Sequence, residues 1–260
     1  MPTALARFPV PKNPLSAVII TLNAASQLQA CLESVAFADE IVVVDAGSSD
    51  GTQELAKQYG ARLIFQEWLG FGRQKQFAVE QAAHDWVLCL DADERVSETL
   101  RQSIVGAMEA PRFAAYRMPR CNRFLGRYLR HGEGYPDWSL RLFDRRHARW
   151  SDDPVHEKVL CEEGAGTLGG DLLHESCETL ESYLAKQNRY TSLQAEELRR
   201  RGKRAHLGHL LLSPVLRFIK FYVFRLGFLD GVPGLVHILI GCFNSFVKYA
   251  KLMALAQEKT

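Results

Sequence analysis

The sequence lacks the motifs that announce several large enzyme classes. It has no GxxxxGKS or GxxxxGKT, which excludes a P-loop NTPase, and its single GxGxxG match, Gly164–Gly169, lies far from the N-terminal strand and helix alternation. HExxH is absent as well, and His156-Glu157 and His174-Glu175 are adjacent pairs without metal spacing. The six cysteines, Cys31, Cys89, Cys121, Cys161, Cys177 and Cys242, contain no CxxC and no other zinc-ligand spacing. Cys89 sits in an apolar run and Cys31 in a helix-like pattern. Both therefore read as buried reduced thiols, which suits a reducing cytosol better than a disulfide scaffold. Residues Met1–Pro14 hold no long apolar core, so no signal peptide is expected there. Internal repeats and low-complexity tracts are missing too.

What is present is enough for one large α/β domain with an appendage: 260 residues, 47% of them apolar and 24% charged. The net charge of +2 hides a strong bias. Between Arg112 and Arg149 there are ten arginines against three acids, Glu133, Asp137 and Asp144. Between Lys186 and Arg225 there are ten Lys or Arg against two acids, Glu196 and Glu197. Such clustering suits an anionic partner such as phosphate or acidic lipid. No nucleic-acid-binding motif accompanies it, so nucleic acid is not expected as a partner.

The first hundred residues alternate strand and helix patterns. Ser16–Thr21 is a β-branched run, Asn23 can cap a helix, and Leu28, Cys31, Leu32 and Val35 recur at helical spacing. Ile41–Val44 is a continuous apolar strand that must be covered on both faces, as in a parallel sheet. A helix is expected over Thr52–Tyr59, closed by Gly60, then a strand over Arg62–Phe65 and a helix over Gln74–Ala83. Trp86–Leu90 is a fourth strand, and Ser97 caps a helix reaching Met108. This rhythm predicts a mostly parallel sheet with its site at the carboxyl ends of the strands. From Pro111 to Gly170 the pattern shortens into irregular strands and loops, and Glu178–Arg201 reads as a polar helix.

Two segments carry chemistry. Asp91-Ala92-Asp93 follows a buried strand directly, and residues i and i+2 of an extended chain point the same way. Both carboxylates can therefore face one ligand, and hard cations such as Mg²⁺ or Mn²⁺ favour carboxylate oxygen while bridging to substrate phosphates. Glu94 follows as an outer acid or a surface residue. In Val44–Thr52, Asp45 ends a buried strand where a carboxylate can accept from a ribose or base, while Ser49 and Asp50 are natural turn and cap residues.

The tail is apolar but interrupted. Leu207–Leu212, Val215–Leu229 and Leu235–Leu255 are interleaved with Arg217, Lys220, Arg225, Lys248 and Lys251, and Gly231, Pro233 and Gly234 separate two halves. A spanning helix needs about 20 apolar residues with few charges, so amphipathic helices lying in a membrane interface fit better. The alternative is a helical hairpin packed on the catalytic domain.

Three segments, SAVIITLN at 16–23, IVVVDAGSSDGT at 41–52 and LCLDADE at 88–94, resemble together, in order and spacing, the donor half of glycosyltransferase family 2. YPDWSLRLF at 135–143, VHE at 155–157 and His174 followed by YLAKQNRYT narrow the resemblance to the lipopolysaccharide core β-1,4-glucosyltransferase subgroup. The resemblance covers roughly residues 15–195. It implies an inverting enzyme of GT-A fold, a Rossmann-like nucleotide-sugar-binding sheet, with a C-terminal helical amphipathic extension. The expected domains are a GT-A domain at 1–204, with donor half about 15–110 and acceptor half about 111–204, and a membrane-associating region at 205–260.

The same resemblance implies residue roles. Thr21, Asn23 and Asp45 would contact the nucleoside. Asp91 would hold ribose or diphosphate, and Asp93 would hold Mg²⁺ or Mn²⁺. Arg73 and Lys75, in Gly70–Lys75, would bind the donor, their charge suiting a diphosphate, and Arg141 would approach the diphosphate or pair with an acid. The general base that an inverting transferase requires would be Asp137, with Glu157 as second candidate. Tyr135 and Trp138 offer stacking surfaces, although packing under the loop is the expected task of Trp138. The implied activity moves a hexose, glucose from UDP-glucose, onto a heptose of the lipopolysaccharide inner core. The partners are a nucleotide-sugar donor, a lipid-linked saccharide acceptor and the anionic inner face of the cytoplasmic membrane. The alternatives are transfer to a polyprenyl phosphate or another cell-surface glycan, and a non-catalytic nucleotide-sugar-binding module.

Overall fold

The computed structural model describes residues 13–153, 157–176 and 179–257; Val155 and His156 of the VHE segment and Cys177 lie outside the described residues. The chain forms two compact units, Met1–Arg120 with Asp137–His174, and Cys121–Pro136 with Glu175–Thr260.

In the first unit, β1 (Leu15–Thr21), α1 (Ala25–Ser34), β2 (Glu40–Asp45), α2 (Thr52–Gln58), β3 (Arg62–Phe65), α3 (Phe71–Gln81) and β4 (Trp86–Asp91) follow the expected alternation. After them come β5 (Glu94–Val96), α4 (Glu98–Glu109), β6 (Ala115–Phe124), β7 (Arg127–Tyr128), β8 (Asp137–Asp144), β9 (Ala148–Trp150), β10 (Val159–Cys161), β11 (Gly166–Thr167) and β12 (Leu172–His174); β7 belongs to the second unit. The main sheet runs β3-β2-β1-β4-β8-β6-β12-β5. β3, β2, β1 and β4 are parallel, and β8 joins β4 antiparallel.

Alternate residues of the central strands feed two cores. Ala17, Ile19, Val43, Leu88, Leu90 and Leu142 pack with Leu28, Leu32, Leu100 and Ile104 on one face. Val18, Ile20, Val42, Val44, Val87 and Phe143 pack with Ala78, Val79 and Trp150 on the other. Burial on both faces is why these strands read as unbroken apolar runs rather than as alternating ones. At about 1.5–3 kcal/mol for each fully buried aliphatic side chain, this double layer fixes the strand ends on which the site stands. Cys31, Cys89, Cys121, Cys161 and Cys242 are free thiols.

Several expectations need correction. Asn23 does not cap α1: its backbone is left-handed (φ 50°), and Ala24 takes the N-cap position without a side-chain bond. The N–H groups of Ala24 and Ala25 bond instead to Thr52 Oγ1, at the start of α2, and to Asp50 Oδ2, in the loop before it, which ties two βα turns together. The region expected to be irregular contains a ten-residue strand, β6, and an eight-residue strand, β8. Their alternation is masked in the sequence because Arg117, Arg120 and Arg141 occupy strand positions and find partners there. One expectation holds: Gly231, Pro233 and Gly234 mark the boundary between two helical halves of the tail. They open a long helix, and Pro233 sits in its first turn, where a missing N–H costs nothing.

The second unit contains α5 (Leu180–Arg200), α6 (Leu207–Phe218), a π-helical stretch at Ile219–Phe224, a 3-10 turn at Gly227–Asp230 and α7 (Gly231–Gln257). The expected boundary at residue 204 thus falls inside this unit. The reason is that α5 is tied to α7: Lys251 Nζ donates to the Asn188 carbonyl and to Thr191 and Ser192 hydroxyls, and Asn244 donates to Gln187. Ser213 and Ser245 join α6 to α7 at 2.8 Å. Arg217 pairs with Glu133, and buried Asp230 accepts the N–H groups of Arg130 and His131. These bonds fasten the 121–136 segment to the helices.

Candidate active site

The carboxyl ends of β1, β2 and β4 converge, because Thr21 is paired with Asp45 and Ile20 with Asp91 across the same strand. Strand spacing puts the Asp45 and Asp91 backbones ~10 Å apart, on one rim of the sheet.

The β2 end builds a wall. Asp45 is 1% exposed and accepts from the N–H groups of Gly47 (3.0 Å) and Ser48 (2.9 Å), from Gln53 Nε2 (2.8 Å), from Thr21 Oγ1 (3.0 Å) and from the Ser48 hydroxyl. Burial pushes this carboxyl up, but the donors outweigh burial and hold it below its ordinary value. Thr21 and Asp45 are spent on each other and on the turn. The Thr21 and Asp45 side chains thus hold the turn that borders the rim. Asn23 stands exposed at the rim, its Oδ1 accepting the Ser49 N–H at 2.9 Å, and remains available to a ligand.

The β4 end carries the charge. Lys75 Nζ lies 3.1 Å from Asp91 Oδ1 and 3.2 Å from Glu157 Oε1. Arg141 Nη2 donates to Asp91 Oδ2 at 2.9 Å and to Glu94 Oε1 at 2.7 Å. Arg120 reaches Glu94 Oε1 at 3.5 Å and Asp137 Oδ2 at 2.9 Å. The result is one chain of alternating charge, Glu157–Lys75–Asp91–Arg141–Glu94–Arg120–Asp137, with the two candidate bases at its ends. Burial pushes the Asp91 carboxyl up, yet the Arg141 and Lys75 charges prevail and hold it well below the carboxylate range. Burial works against the Arg141 charge, but Glu94 and Asp91 more than offset it and raise its pKa.

This network bears on the expectations for Glu94, Lys75 and Arg141. Glu94 is not a surface residue but 0% exposed, and its Oε2 accepts the Asp91 N–H at 3.1 Å. Lys75 and Arg141 are each 5% exposed and paired with carboxylates; for Arg141 this is the acid-pairing alternative, whereas Lys75 is drawn to Asp91 and Glu157 instead of standing free for a diphosphate. Lys75 and Arg141 also lie over the Trp150 ring, at 5.0 and 5.6 Å. Arg73, in the first turn of α3, is exposed, with Asp152 4.0 Å away, and stays accessible to an anion. Trp138 is 46% exposed beneath the Arg117 guanidinium (5.0 Å) and is not packed under a loop.

Asp93 lies apart from this chain of charges. Its Oδ2 meets His174 Nε2 at 3.2 Å, because β12 pairs antiparallel with β5 and sets His174 opposite Glu94. A carboxylate oxygen and an imidazole nitrogen converging at the rim fit Mg²⁺ or Mn²⁺, which complete their shells with substrate phosphates and water. No cluster of three or more His, Cys, Asp or Glu suited to a metal occurs among the described residues, so this pair would be the protein's share of such a shell. His174 was visible in the sequence as a motif residue but not as a metal ligand, since the partner comes from strand pairing. Gly72 was also missed. A Cβ there would meet the Ser151 carbonyl at 2.5 Å and Glu157 Cβ at 3.2 Å, so only glycine lets α3 approach the segment that carries Glu157.

Comparison with known proteins bears on this arrangement. Residues 16–162 match the glycosyl transferase family 2 model. The chain belongs to that family. It is a glycosyltransferase of GT-A fold. It is 33% identical over 252 residues to the lipopolysaccharide core biosynthesis glycosyltransferase LpsC of Rhizobium meliloti, covering 94% of this chain and 93% of that one. It is 30% identical to an uncharacterized glycosyltransferase of Rickettsia typhi, covering 93% and 87%. Among solved structures it is similar to mannosyl-3-phosphoglycerate synthase from Rubrobacter xylanophilus, at 19% identity over 75% of this chain and 77% of that one, with a TM-score of 0.47. A likeness that slight decides nothing about this transferase.

Proposed function

We propose that this glycosyltransferase moves a hexose, glucose from UDP-glucose, onto a heptose of the lipopolysaccharide inner core, in a reaction that depends on a divalent metal. The observation that carries the metal-dependent reading is the meeting of Asp93 and His174 beside the pinned Asp91 at the end of β4. The choice of acceptor is supported by the similarity to LpsC along nearly the whole chain.

Asp93 and His174 would hold Mg²⁺ or Mn²⁺, and Asp91 is kept ionised and in place by Lys75 and Arg141 for contact with ribose or diphosphate. When bound, the metal offsets the negative charge that builds on the departing diphosphate. Asn23 lines the nucleoside end on the wall set by Thr21 and Asp45, and Arg73 meets the diphosphate from the α3 N-terminus. The acceptor hydroxyl oxygen attacks the anomeric carbon, the bond to the diphosphate oxygen breaks with its electron pair, and the hydroxyl proton passes to a carboxylate. We assign that base to Asp137, whose side chain is 40% exposed and is steered by the Arg120 fork. Glu157 is 22% exposed and serves as an anchor that turns Lys75 toward Asp91. The acceptor is lipid-linked, so the enzyme works in the cytoplasm, peripheral on the anionic inner face of the cytoplasmic membrane.

UDP release from UDP-glucose, measured with metal and a purified lipopolysaccharide core acceptor, tests this reading. Acceptor-dependent release supports it. Release only with a polyprenyl phosphate acceptor, or with none of the common sugar nucleotides, contradicts it.

A further inference from the structure

We propose that the second unit docks on an anionic lipid bilayer through one stripe of α6 and its π-helical continuation, with the cations at 199–204 seated on the lipid headgroups. The inference builds on the membrane-borne acceptor proposed above and names the surface that meets the membrane. Leu207, Leu211, Leu212, Val215, Leu216 and Ile219 are spaced i, i+4, i+5, i+8, i+9 and i+12, so they share one helix face, and they are between 39% and 63% exposed. Phe224 extends the stripe at 76% exposure. A contiguous apolar face of this length is unusual on a protein that stays in water.

The opposite face is already occupied. Ser213 bonds Ser245, and Arg217 is paired with Glu133. Lys251 is likewise bound to α5, so neither cation is free for headgroups. The cations for headgroups lie just before the stripe: Arg199, Arg200, Arg201, Lys203 and Arg204. All but Arg199 are exposed, and Glu197 is paired with Arg200 and Arg201. A basic cluster at the start of an exposed apolar helix complements an anionic leaflet.

The same unit excludes a crossing by α7. Residues Leu207–Phe224 and Gly227–Ala256 are long and apolar enough to span. However, α5 carries Glu181, Lys186, Arg189 and Glu196 and is tied to α7 through Asn244 and Lys251, so a spanning α7 would drag those charges into hydrocarbon. The helices therefore lie along the surface.

Flotation of the full-length protein on phosphatidylcholine vesicles, with and without phosphatidylglycerol, tests the docking. Each cation near an anionic leaflet contributes roughly fivefold in affinity. Joint replacement of Arg199, Arg200, Arg201, Lys203 and Arg204 by Gln should therefore lower binding to the anionic vesicles by about 10²-fold or more. Leu212→Asp with Leu216→Asp, at exposed positions that leave the core intact, should abolish binding to both vesicles. Wild-type protein that floats with neither vesicle, or a stripe variant that floats like wild type, overturns the proposal. So does a stripe that instead holds a second copy of the chain, seen as a wild-type dimer that the stripe variant dissolves without vesicles. Transfer to a delipidated core saccharide, assayed on the same preparations, keeps the two readings apart. Intact transfer without flotation rejects the docking surface, whereas flotation without transfer rejects the catalytic reading and upholds the surface.

Discussion

Replacing Arg141 by Ala removes the central link of the charge chain. Its Nη2 is 2.7 Å from Glu94 and 2.9 Å from Asp91, and the side chain is almost wholly buried. After the change, among the described residues, Glu94, fully buried, keeps the 3.5 Å contact with Arg120 and the Asp91 N–H, and the Asp91 carboxylate keeps Lys75. Breaking a buried ion pair on one side costs about 3–5 kcal/mol, a large part of a typical total stability of about 5–15 kcal/mol. The pH dependence follows from the sign of the Asp91 shift. Its folded pKa lies below its unfolded value of about 3.9, so the pairing stabilises the protein above that pH and the gain fades as pH falls toward the folded value. The gap between wild type and variant should thus be full near pH 7 and shrink below about pH 4. Urea unfolding followed by tryptophan fluorescence and circular dichroism at both pH values measures it. The double change Arg141→Met with Glu94→Gln should recover part of the loss, because fewer charges are left buried without a partner. A loss under about 1 kcal/mol at pH 7, or a gap that widens in acid, would refute the charge-chain account.

Asp137→Asn should leave donor binding intact and lower kcat by about 10²-fold or more, the usual scale for a lost general base. Glu157→Gln should act mainly on donor KM through Lys75, and the opposite pattern in steady-state kinetics would exchange the two roles. Gly72→Ala should destabilise the fold by about 1–3 kcal/mol, because its Cβ meets the Ser151 backbone, and urea midpoints that match wild type would contradict the packing reading.

Much of the donor half was legible in the sequence because its signals are local. The run Ile41–Val44 and the run Trp86–Leu90 demanded cover on both faces, and the acids after them fell at strand ends, where a parallel sheet exposes its rim. The rest depended on pairing between distant segments. Glu94, in a row of acids, reads as an outer acid or a surface residue until Arg141 and Arg120 arrive from β8 and β6 to neutralise it. Lys75 reads as a free phosphate ligand, and Arg141 keeps two alternatives, because sequence gives their charge but not their partners. His174 becomes a ligand candidate only through the β12–β5 register. In the tail, apolar content was plain, but which cations face inward was fixed by Glu133 and by α5, neither of which is adjacent in sequence.

The central claim is that Asp93 and His174 together hold the divalent ion that the sugar nucleotide needs. Titration of Mn²⁺ into protein saturated with UDP, followed by electron paramagnetic resonance of the free ion, measures this directly. The account predicts one site in the wild type that is lost in Asp93→Ala and weakened at least about tenfold in His174→Ala, with both variants folded by circular dichroism. Mn²⁺ binding that is unchanged in both variants would contradict it.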